Sequence, residues 1–271
     1  MCVMKNIFKI LTISVLIISL SSCVESSMAT TVKKVSEPVI IDPINEDGMT
    51  VKTRFNVPEG YRRVESKNGT FGSYLQNLPL KPYGSKVHHF DGSLKGNVSA
   101  YCSVVDLPLK NNPNHQCADA VMRMRAEYLF SEQRYGEIQF QYVNGQKPNY
   151  VTYLGGKSPT KDNLWSFMCD VFRYANTYSL DKQLKSKNVN DLEIGDVFII
   201  GGFPGHVVIV VDKCMDDKGN VKFMLAQSYM PAQDIQILVG DDMETPWYDL
   251  NFGDYLYSSE YTFSKNDLKS F

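Results

Sequence analysis

The stretch Gly195–Asp212 constrains the fold more than any other part of the chain. It consists of two apolar runs, Val197–Ile200 and Val207–Val211, on either side of a Gly-Gly-Phe-Pro-Gly turn. Short apolar runs bounded by turn residues are typical of strands buried in a sheet. His206 opens the second run, directly after a glycine. The pattern predicts two buried strands with a histidine at the start of the second, a position that favours a catalytic role.

A third strand follows at Val221–Tyr229, after an Asp-Asp-Lys-Gly turn at residues 216–219. This arrangement predicts an antiparallel hairpin. A register centred between the two aspartates places Gln227 opposite His206, and a one-residue change in the loop would bring Ser228 there instead. Side chains that face each other across such a pair are close enough to hydrogen-bond. We expect Gln227 first, and Ser228 second, to orient the imidazole.

The best partner for this histidine is Cys117, which follows a turn-rich segment and starts a helical pattern. Asn114 or Gln116 would cap the helix, and Asn114 is the better residue type. A helix N-terminus favours a thiolate, and its free N–H groups can bind an oxyanion. We therefore predict Cys117 as a nucleophile, although a small buried residue is the commoner role of a lone cysteine. The predicted inward face of this helix carries Cys117, Val121, Met124 and Tyr128.

Composition excludes several classes of function. The 271 residues are 43% apolar and carry a formal charge of -2, without the basic face that nucleic acid requires. The sequence contains no Cys-x-x-Cys pair, which would indicate a zinc site. The glycines at residues 155–156 lack the spacing of a phosphate loop. The sequence predicts neither a metal nor a cofactor.

The N-terminus has the features of a secretory signal peptide. Lys5 and Lys9 precede an apolar run, Ile10–Leu20, that is too short to span a membrane well. The following Leu-Ser-Ser-Cys sequence resembles a bacterial lipobox. That resemblance implies cleavage after residue 22, lipid attachment to Cys23, and a location on the cell envelope, facing the periplasm or the surface.

The next residues predict a tether and then one folded domain. Residues 23–50 are rich in serine, threonine and charge and show no sustained period, which favours a flexible tether. Residues 51–271 would form a single domain. Within it, residues 137–143 and 150–154 have strand-like patterns, and residues 162–178 have helical spacing.

Other histidines and cysteines have weaker functional signals. His115 is a rival base, but it lies only two residues from Cys117, which is poor geometry for facing side chains. An envelope location permits disulfides. The sequence leaves open whether the remaining cysteines are buried thiols or paired: Cys102, Cys169 and Cys214.

Several of these motifs resemble a known family. A cysteine at a helix start, the Gly195-Asp-Val and Gly205-His-Val pieces, and a polar residue on the next strand resemble papain-like amidases of the NlpC and CHAP type. The resemblance implies that Cys117 is the nucleophile, His206 the base, and Gln227 the residue that orients it. Cys117 lies in Gln-Cys-Ala-Asp, whereas the NlpC branch has Asp-Cys-Ser-Gly. The whole chain also resembles a family of uncharacterised secreted bacterial lipoproteins.

We therefore expect an α+β, papain-like domain, with the nucleophile helix packed on an antiparallel sheet. The expected function is a lipid-anchored cysteine hydrolase that cleaves amide bonds, with cell-wall peptides as the substrate that location and resemblance imply. The alternative is a non-catalytic envelope lipoprotein that acts as a binding or structural module.

Overall fold

The two apolar runs at residues 197–211 form adjacent antiparallel strands near the centre of a sheet. The computed structural model describes residues 42–271, and Ile200 there pairs with His206. The strands are β1 Tyr61–Arg63, β2 Tyr101–Val104, β3 Lys185–Ser186, β4 Val197–Ile200, β5 His206–Asp216, β6 Val221–Gln227, β7 Gln236–Leu238, β8 Trp247–Asp249, β9 Tyr255–Tyr257, β10 Thr262–Ser264 and β11 Leu268–Ser270. The helices are α1 Val51–Arg54, α2 Phe71–Gln76, α3 Cys117–Ser131, α4 Tyr150–Leu154, α5 Lys161–Tyr174 and α6 Thr177–Gln183.

Within residues 42–271, nine strands form one antiparallel sheet. Its main order is β2-β7-β6-β5-β4-β11-β3, with β1 also paired to β5 and β8 to β6. Strands β9 and β10 form a separate hairpin. Together with six helices in the same range, this arrangement confirms the predicted α+β class.

The part of β5 from Val207 to Val211 is buried on both faces, which explains its unbroken apolar sequence. Its odd-numbered residues from 207 to 211 belong to the core cluster that also contains the buried face of α3. Val208 and Val210 point the other way and pack with Phe198 and Phe223. Because successive side chains of a strand alternate between faces, a strand covered on both sides needs apolar residues at every position. The predicted packing of the α3 helix on an antiparallel sheet is confirmed.

Two segments predicted as strands have other structures. Residues 150–154 form helix α4, because Asn149 caps it by accepting a hydrogen bond from the Val151 N–H at 2.9 Å. Gly155 then ends the helix in the left-handed conformation, with a φ of 54°. Residues 137–143 contain a single bridge, between Gln139 and Asn149, in place of a strand. The aromatic and β-branched residues of both segments are common in strands. In residues 150–154, local capping overrides that preference.

The start of the domain differs from the predicted boundary. Residues 43–50 belong to the predicted tether, yet Ile44 forms a bridge with Phe55 and Thr50 forms one with Pro79. The Asn45 N–H donates to the Arg54 carbonyl at 2.7 Å, which ties this segment to α1. The predicted signal peptide, the lipidation site Cys23 and the rest of the tether up to residue 41 lie outside the described residues. None of the helices between residues 42 and 271 has the length and apolar character needed to cross a membrane.

Candidate functional site

Cys117 and His206 line the same cleft. This cavity of about 250 Å³ lies between the start of α3, the α5–α6 junction, the turn before β5 and the loop after β6. Two exposed apolar side chains, Phe203 and Met230, stand at its edge and are 90% and 66% exposed. The cleft is lined by Asn114, Gln116, Cys117, Ala118, Asp119, Phe172, Ala175, Asn176, Thr177, Gly202, Phe203, Pro204, Gly205, His206, Tyr229, Met230 and Tyr261.

Cys117 is the first residue of α3, as the sequence predicts, and it is half-buried. Of the two predicted caps, Gln116 and not the preferred Asn114 occupies the N-cap position, and its backbone N–H donates to Asp119 Oδ2 at 2.9 Å. An acidic residue in the first turn compensates an orphan N–H and suits the positive end of the helix dipole. The predicted helix start at Cys117 is confirmed, with the second of the two predicted capping residues at the N-cap.

The surroundings of the Cys117 thiol oppose its ionisation. Burial raises its pKa to about 12, and the nearby Asp119 carboxyl adds to the increase. The backbone amides of Ala118 and Val207 act in the opposite direction without cancelling these effects. The expected thiolate stabilisation by the helix N-terminus is thus outweighed by desolvation. Cys117 rests as a neutral thiol and needs a base to become a nucleophile.

His206 is the first residue of β5 and is 2% exposed. Its ring packs between the rings of Tyr229 and Tyr261, with centroids 4.8 and 4.9 Å away. Burial lowers the pKa of His206 to about 4, although its hydrogen bond to Gln227 raises it. The imidazole is therefore neutral near pH 7, the form that can accept a proton.

Gln227 hydrogen-bonds to His206, but the register that predicts this contact is wrong by two residues. His206 Nε2 and Gln227 Oε1 are 2.7 Å apart in a buried contact. The hairpin turn is centred further along the chain than predicted, with Met215 opposite Val221, and after a bulge between Val210 and Asp212, Ile209 lies opposite Ala226. His206 and Gln227 are therefore diagonal neighbours. A shift of two residues keeps every side chain on its original face, so the partner is preserved.

Ser228, the predicted alternative, lies away from the histidine. Its hydroxyl is fully buried and donates to the Gln233 carbonyl at 2.8 Å. Adjacent residues of a strand point to opposite faces, so Gln227 and Ser228 cannot both reach the same ring.

The sequence analysis misses a charged pair behind Gln227. The Gln227 Nε2 donates to Glu260 Oε2 at 2.6 Å, and Lys95 Nζ lies 2.6 Å from the same oxygen. Lys95 comes from the loop before β2 and Glu260 from the turn between β9 and β10. Neither position carries a periodic or motif signal in the sequence. Only the tertiary fold brings two such loops to the end of β6.

Asp119 is a second residue of the site whose surroundings only the structure shows. Its Oδ2 accepts the hydrogen bond from the Gln116 N–H at the start of α3. Its Oδ1 is buried and has no hydrogen-bond partner within the described residues. Burial raises the pKa of this carboxyl well above its usual range. Asp119 is also among the residues that line the cleft.

The rival base His115 is absent from the lining of the cleft. It is completely buried, and neither ring nitrogen has a hydrogen-bond partner among the residues described. Its ring meets Phe172 edge-on, with centroids 5.1 Å apart. Burial and the charge of Arg123 lower its pKa to about 3. His115 is a packing residue.

The remaining cysteines form no disulfide between residues 42 and 271. Cys102, Cys169 and Cys214 are free, as is Cys117. Cys102 and Cys169 are half-buried, whereas Cys214 is fully buried in β5. No group of three or more metal-ligating side chains occurs in this part of the chain.

The family comparison covers nearly the whole described domain. Residues 51–270 match the model of a family described as a domain of unknown function (4846), and the chain belongs to that family. Comparisons with curated proteins and with solved structures gave no match.

Proposed function

We propose that this protein is a cysteine hydrolase that cleaves an amide bond, with a papain-like arrangement of Cys117 and His206. One observation carries the proposal: a thiol at a helix start and a hydrogen-bonded neutral imidazole line one open cleft. A nucleophile, a base and a group that orients the base are the components of this chemistry.

The reaction would run in two steps. His206 takes the Cys117 proton as the sulfur attacks the carbonyl carbon of the amide, and backbone N–H groups at the start of α3 bind the oxyanion. The imidazolium then protonates the leaving amine, which leaves a thioester on Cys117. A water molecule, deprotonated by His206, hydrolyses the thioester and regenerates the thiol.

The ionisation states suit a neutral resting pair. With a thiol pKa of about 12 and an imidazole pKa of about 4, the proton stays on sulfur until attack begins. Proton transfer in the transition state is then required, because a preformed thiolate is rare. The Nε2 hydrogen bond to Gln227 holds the ring while this happens.

Cell-wall peptides are the proposed substrate, and a lipid anchor at Cys23 the proposed means of membrane attachment. The support is the lipobox-like Leu20-Ser-Ser-Cys23 and the resemblance to NlpC and CHAP amidases, both read from the sequence. The alternative is a non-catalytic envelope module that uses the same cleft for binding.

Selective alkylation tests the Cys–His pair without knowledge of the substrate. At pH 7 iodoacetamide should label Cys117 before the half-buried Cys102 and Cys169, as mapped by peptide mass spectrometry. The rate at Cys117 should fall about a hundredfold in His206→Ala. Equal labelling of all three thiols, or no effect of His206→Ala, would favour the non-catalytic alternative.

Digestion of purified peptidoglycan fragments tests the substrate. The wild-type chain should release new amino termini, detected by mass spectrometry. Cys117→Ala should release none, and Cys169→Ala, which removes a thiol away from the cleft lining, should match the wild type.

A further inference from the structure

Glu260, which lies behind Gln227, accepts three hydrogen bonds. Gln227 Nε2 and Lys95 Nζ both lie 2.6 Å from Oε2, and Asn97 Nδ2 lies 3.3 Å from Oε1. The Glu260 side chain is 12% exposed, and that of Lys95 is 5% exposed. The carboxylate of Glu260 thus accepts from a buried ammonium and from two amide NH₂ groups.

This arrangement determines which way the Gln227 amide points. An ionised carboxylate only accepts hydrogen bonds, so Gln227 must turn its NH₂ group toward Glu260. Its carbonyl oxygen then faces His206, which is consistent with the 2.7 Å contact. Oxygen and nitrogen of an amide are distinguished by their hydrogen-bond network, and here the network allows one orientation.

The amide orientation in turn determines the tautomer of His206. A carbonyl oxygen cannot donate, so the ring nitrogen that it meets, Nε2, must carry the hydrogen. In a neutral imidazole this leaves Nδ1 with the lone pair that accepts a proton. The chain of contacts therefore runs from an ion pair to the proton-accepting atom of the proposed base.

We propose that Glu260 is a positioning residue that fixes the Gln227 amide and, through it, the His206 tautomer, while supplying the negative charge that an amide lacks. Lys95 holds the carboxylate in place. The consequence for catalysis rests on the proposed function, whereas the assignment of the tautomer does not. A glutamine alone orients an imidazolium, and a glutamine backed by a carboxylate also stabilises its charge.

The charges around the His206 ring agree with this role. Glu260 raises the pKa of His206 and Lys95 lowers it, so the pair partly cancels at the ring. Tyr229 and Tyr261 cover the ring, and Lys95 Nζ lies 5.5 Å from the centroid of Tyr229. Loss of Glu260 would leave Lys95 as an unpaired positive charge beside the base.

Two variants and one exchange test the proposal. Glu260→Ala frees the amide to rotate, and Glu260→Gln keeps an acceptor but removes the charge. Exchanging the two groups, in Gln227→Glu with Glu260→Gln, places a carboxylate directly on Nε2. Long-range ¹⁵N–¹H spectra of histidine-labelled protein report the tautomer, and His206→Gln identifies the signal among the chain's 4 histidines.

The expected results differ between the variants. The wild type and the exchange variant should show the Nε2–H tautomer, and Glu260→Ala should show a mixture. The Cys117 alkylation rate at pH 7 should fall at least about tenfold in Glu260→Ala, fall less in Glu260→Gln, and recover in the exchange variant. Glu65→Gln, which breaks the surface pair Lys52–Glu65, should change neither measurement.

An unchanged Nε2–H signal in folded Glu260→Ala would overturn the proposal. A lower melting temperature with an unchanged tautomer would do the same, because it assigns Glu260 a purely structural role. If Cys117 in the wild type is no more reactive than Cys102, the proposed hydrolase fails, while the tautomer still decides the role of Glu260.

Discussion

Two buried polar networks lie along β5, one at its start and one near its other end. Both join a glutamine amide to a carboxylate and a cation, yet only the first reaches the cleft. Under the proposed function, the difference between them separates a polar network that holds a fold together from one that supports chemistry. The cleft network consists of His206, Gln227, Glu260 and Lys95, and the clamp network of Arg63, Gln76 and Asp212.

The clamp network has no titratable group open to a ligand. Asp212 is completely buried. It accepts hydrogen bonds from Arg63 Nε at 2.8 Å and from Gln76 Nε2 at 2.7 Å. Its pKa is raised by burial, although Arg63 and Gln76 both lower it. The three side chains connect β1, α2 and β5, so their role is to join elements.

The cleft network instead ends in a group that can change its charge. His206 is hydrogen-bonded on Nε2 only, by Gln227, among the described residues, and its ring lines the cavity. If the proposed function holds, the same components serve chemistry where the terminal member meets a cavity and serve cohesion where it does not.

The largest expected effect is on the clamp network. Asp212→Asn should lower the free energy of unfolding by about 3–5 kcal/mol, because it leaves the partly buried Arg63 without its counter-ion. Chemical denaturation measures this. Asp217→Asn removes the partner of Arg62, where both side chains are 76% exposed, and should cost less than about 1 kcal/mol. If the two variants are equally stable, the clamp network contributes no cohesion.

In folded Asp212→Asn, Cys117 should still be alkylated at the wild-type rate. Gln227→Ala should instead lower the alkylation rate strongly and the free energy of unfolding only slightly. Loss of Gln227 leaves Nε2 without its acceptor, and we expect about a ten- to hundredfold lower alkylation rate at pH 7. The loss in unfolding free energy should be about 1–2 kcal/mol. A stability loss without a change in rate would make the cleft network a second clamp.

The pH dependence of alkylation sharpens the same contrast. A base with a pKa of about 4 is protonated below that pH and neutral above it. The Cys117 rate should therefore rise through about pH 4 and stay level until the thiol, with a pKa of about 12, begins to ionise directly. In His206→Ala the level region should disappear, and the rate should climb about tenfold for each pH unit. A wild-type profile with that constant slope would mean that His206 takes no proton.

Much of the site is predictable from the sequence because it depends on local patterns. Strands β4 and β5 follow from buried apolar runs, and the start of α3 at Cys117 follows from its spacing. The pairing of His206 with Gln227 survives a wrong register, since the error of two residues preserves the face.

Other parts of the site depend on contacts that no local pattern carries. Glu260 and Lys95 are 165 residues apart in the sequence, and two irregular loops bring them into contact. The raised pKa of Cys117 likewise depends on burial by the assembled fold, which outweighs the helix dipole that the sequence suggests. Local capping, at Asn149 and Gly155, also decides helix α4 against its strand-like composition.

Removing the charge of Asp119 should have a smaller effect on the Cys117 alkylation rate, and it should raise the rate where the preceding variants lower it. Its carboxyl is the second-largest cause, after burial, of the raised pKa of Cys117. Asp119→Asn keeps an oxygen that can cap the Gln116 N–H and removes the charge, so the pKa of Cys117 should fall and alkylation at pH 9 should rise about threefold. Asp162→Asn, in the first turn of α5, is the matched control and should have no effect. A slower reaction in Asp119→Asn would show that this carboxyl assists the thiol.

The smallest expected effect concerns the other buried histidine near Cys117. His115 has no hydrogen-bond partner for either ring nitrogen within residues 42–271, and Arg123 further lowers its pKa. His115→Leu removes two unsatisfied polar atoms and keeps an apolar contact for Phe172, so the free energy of unfolding should change by less than about 1 kcal/mol and could increase. Cys117 alkylation should be unchanged, in contrast to His206→Ala. A loss above about 2 kcal/mol would show that His115 has a polar partner such as a buried water, and a slower Cys117 would restore His115 as a candidate base.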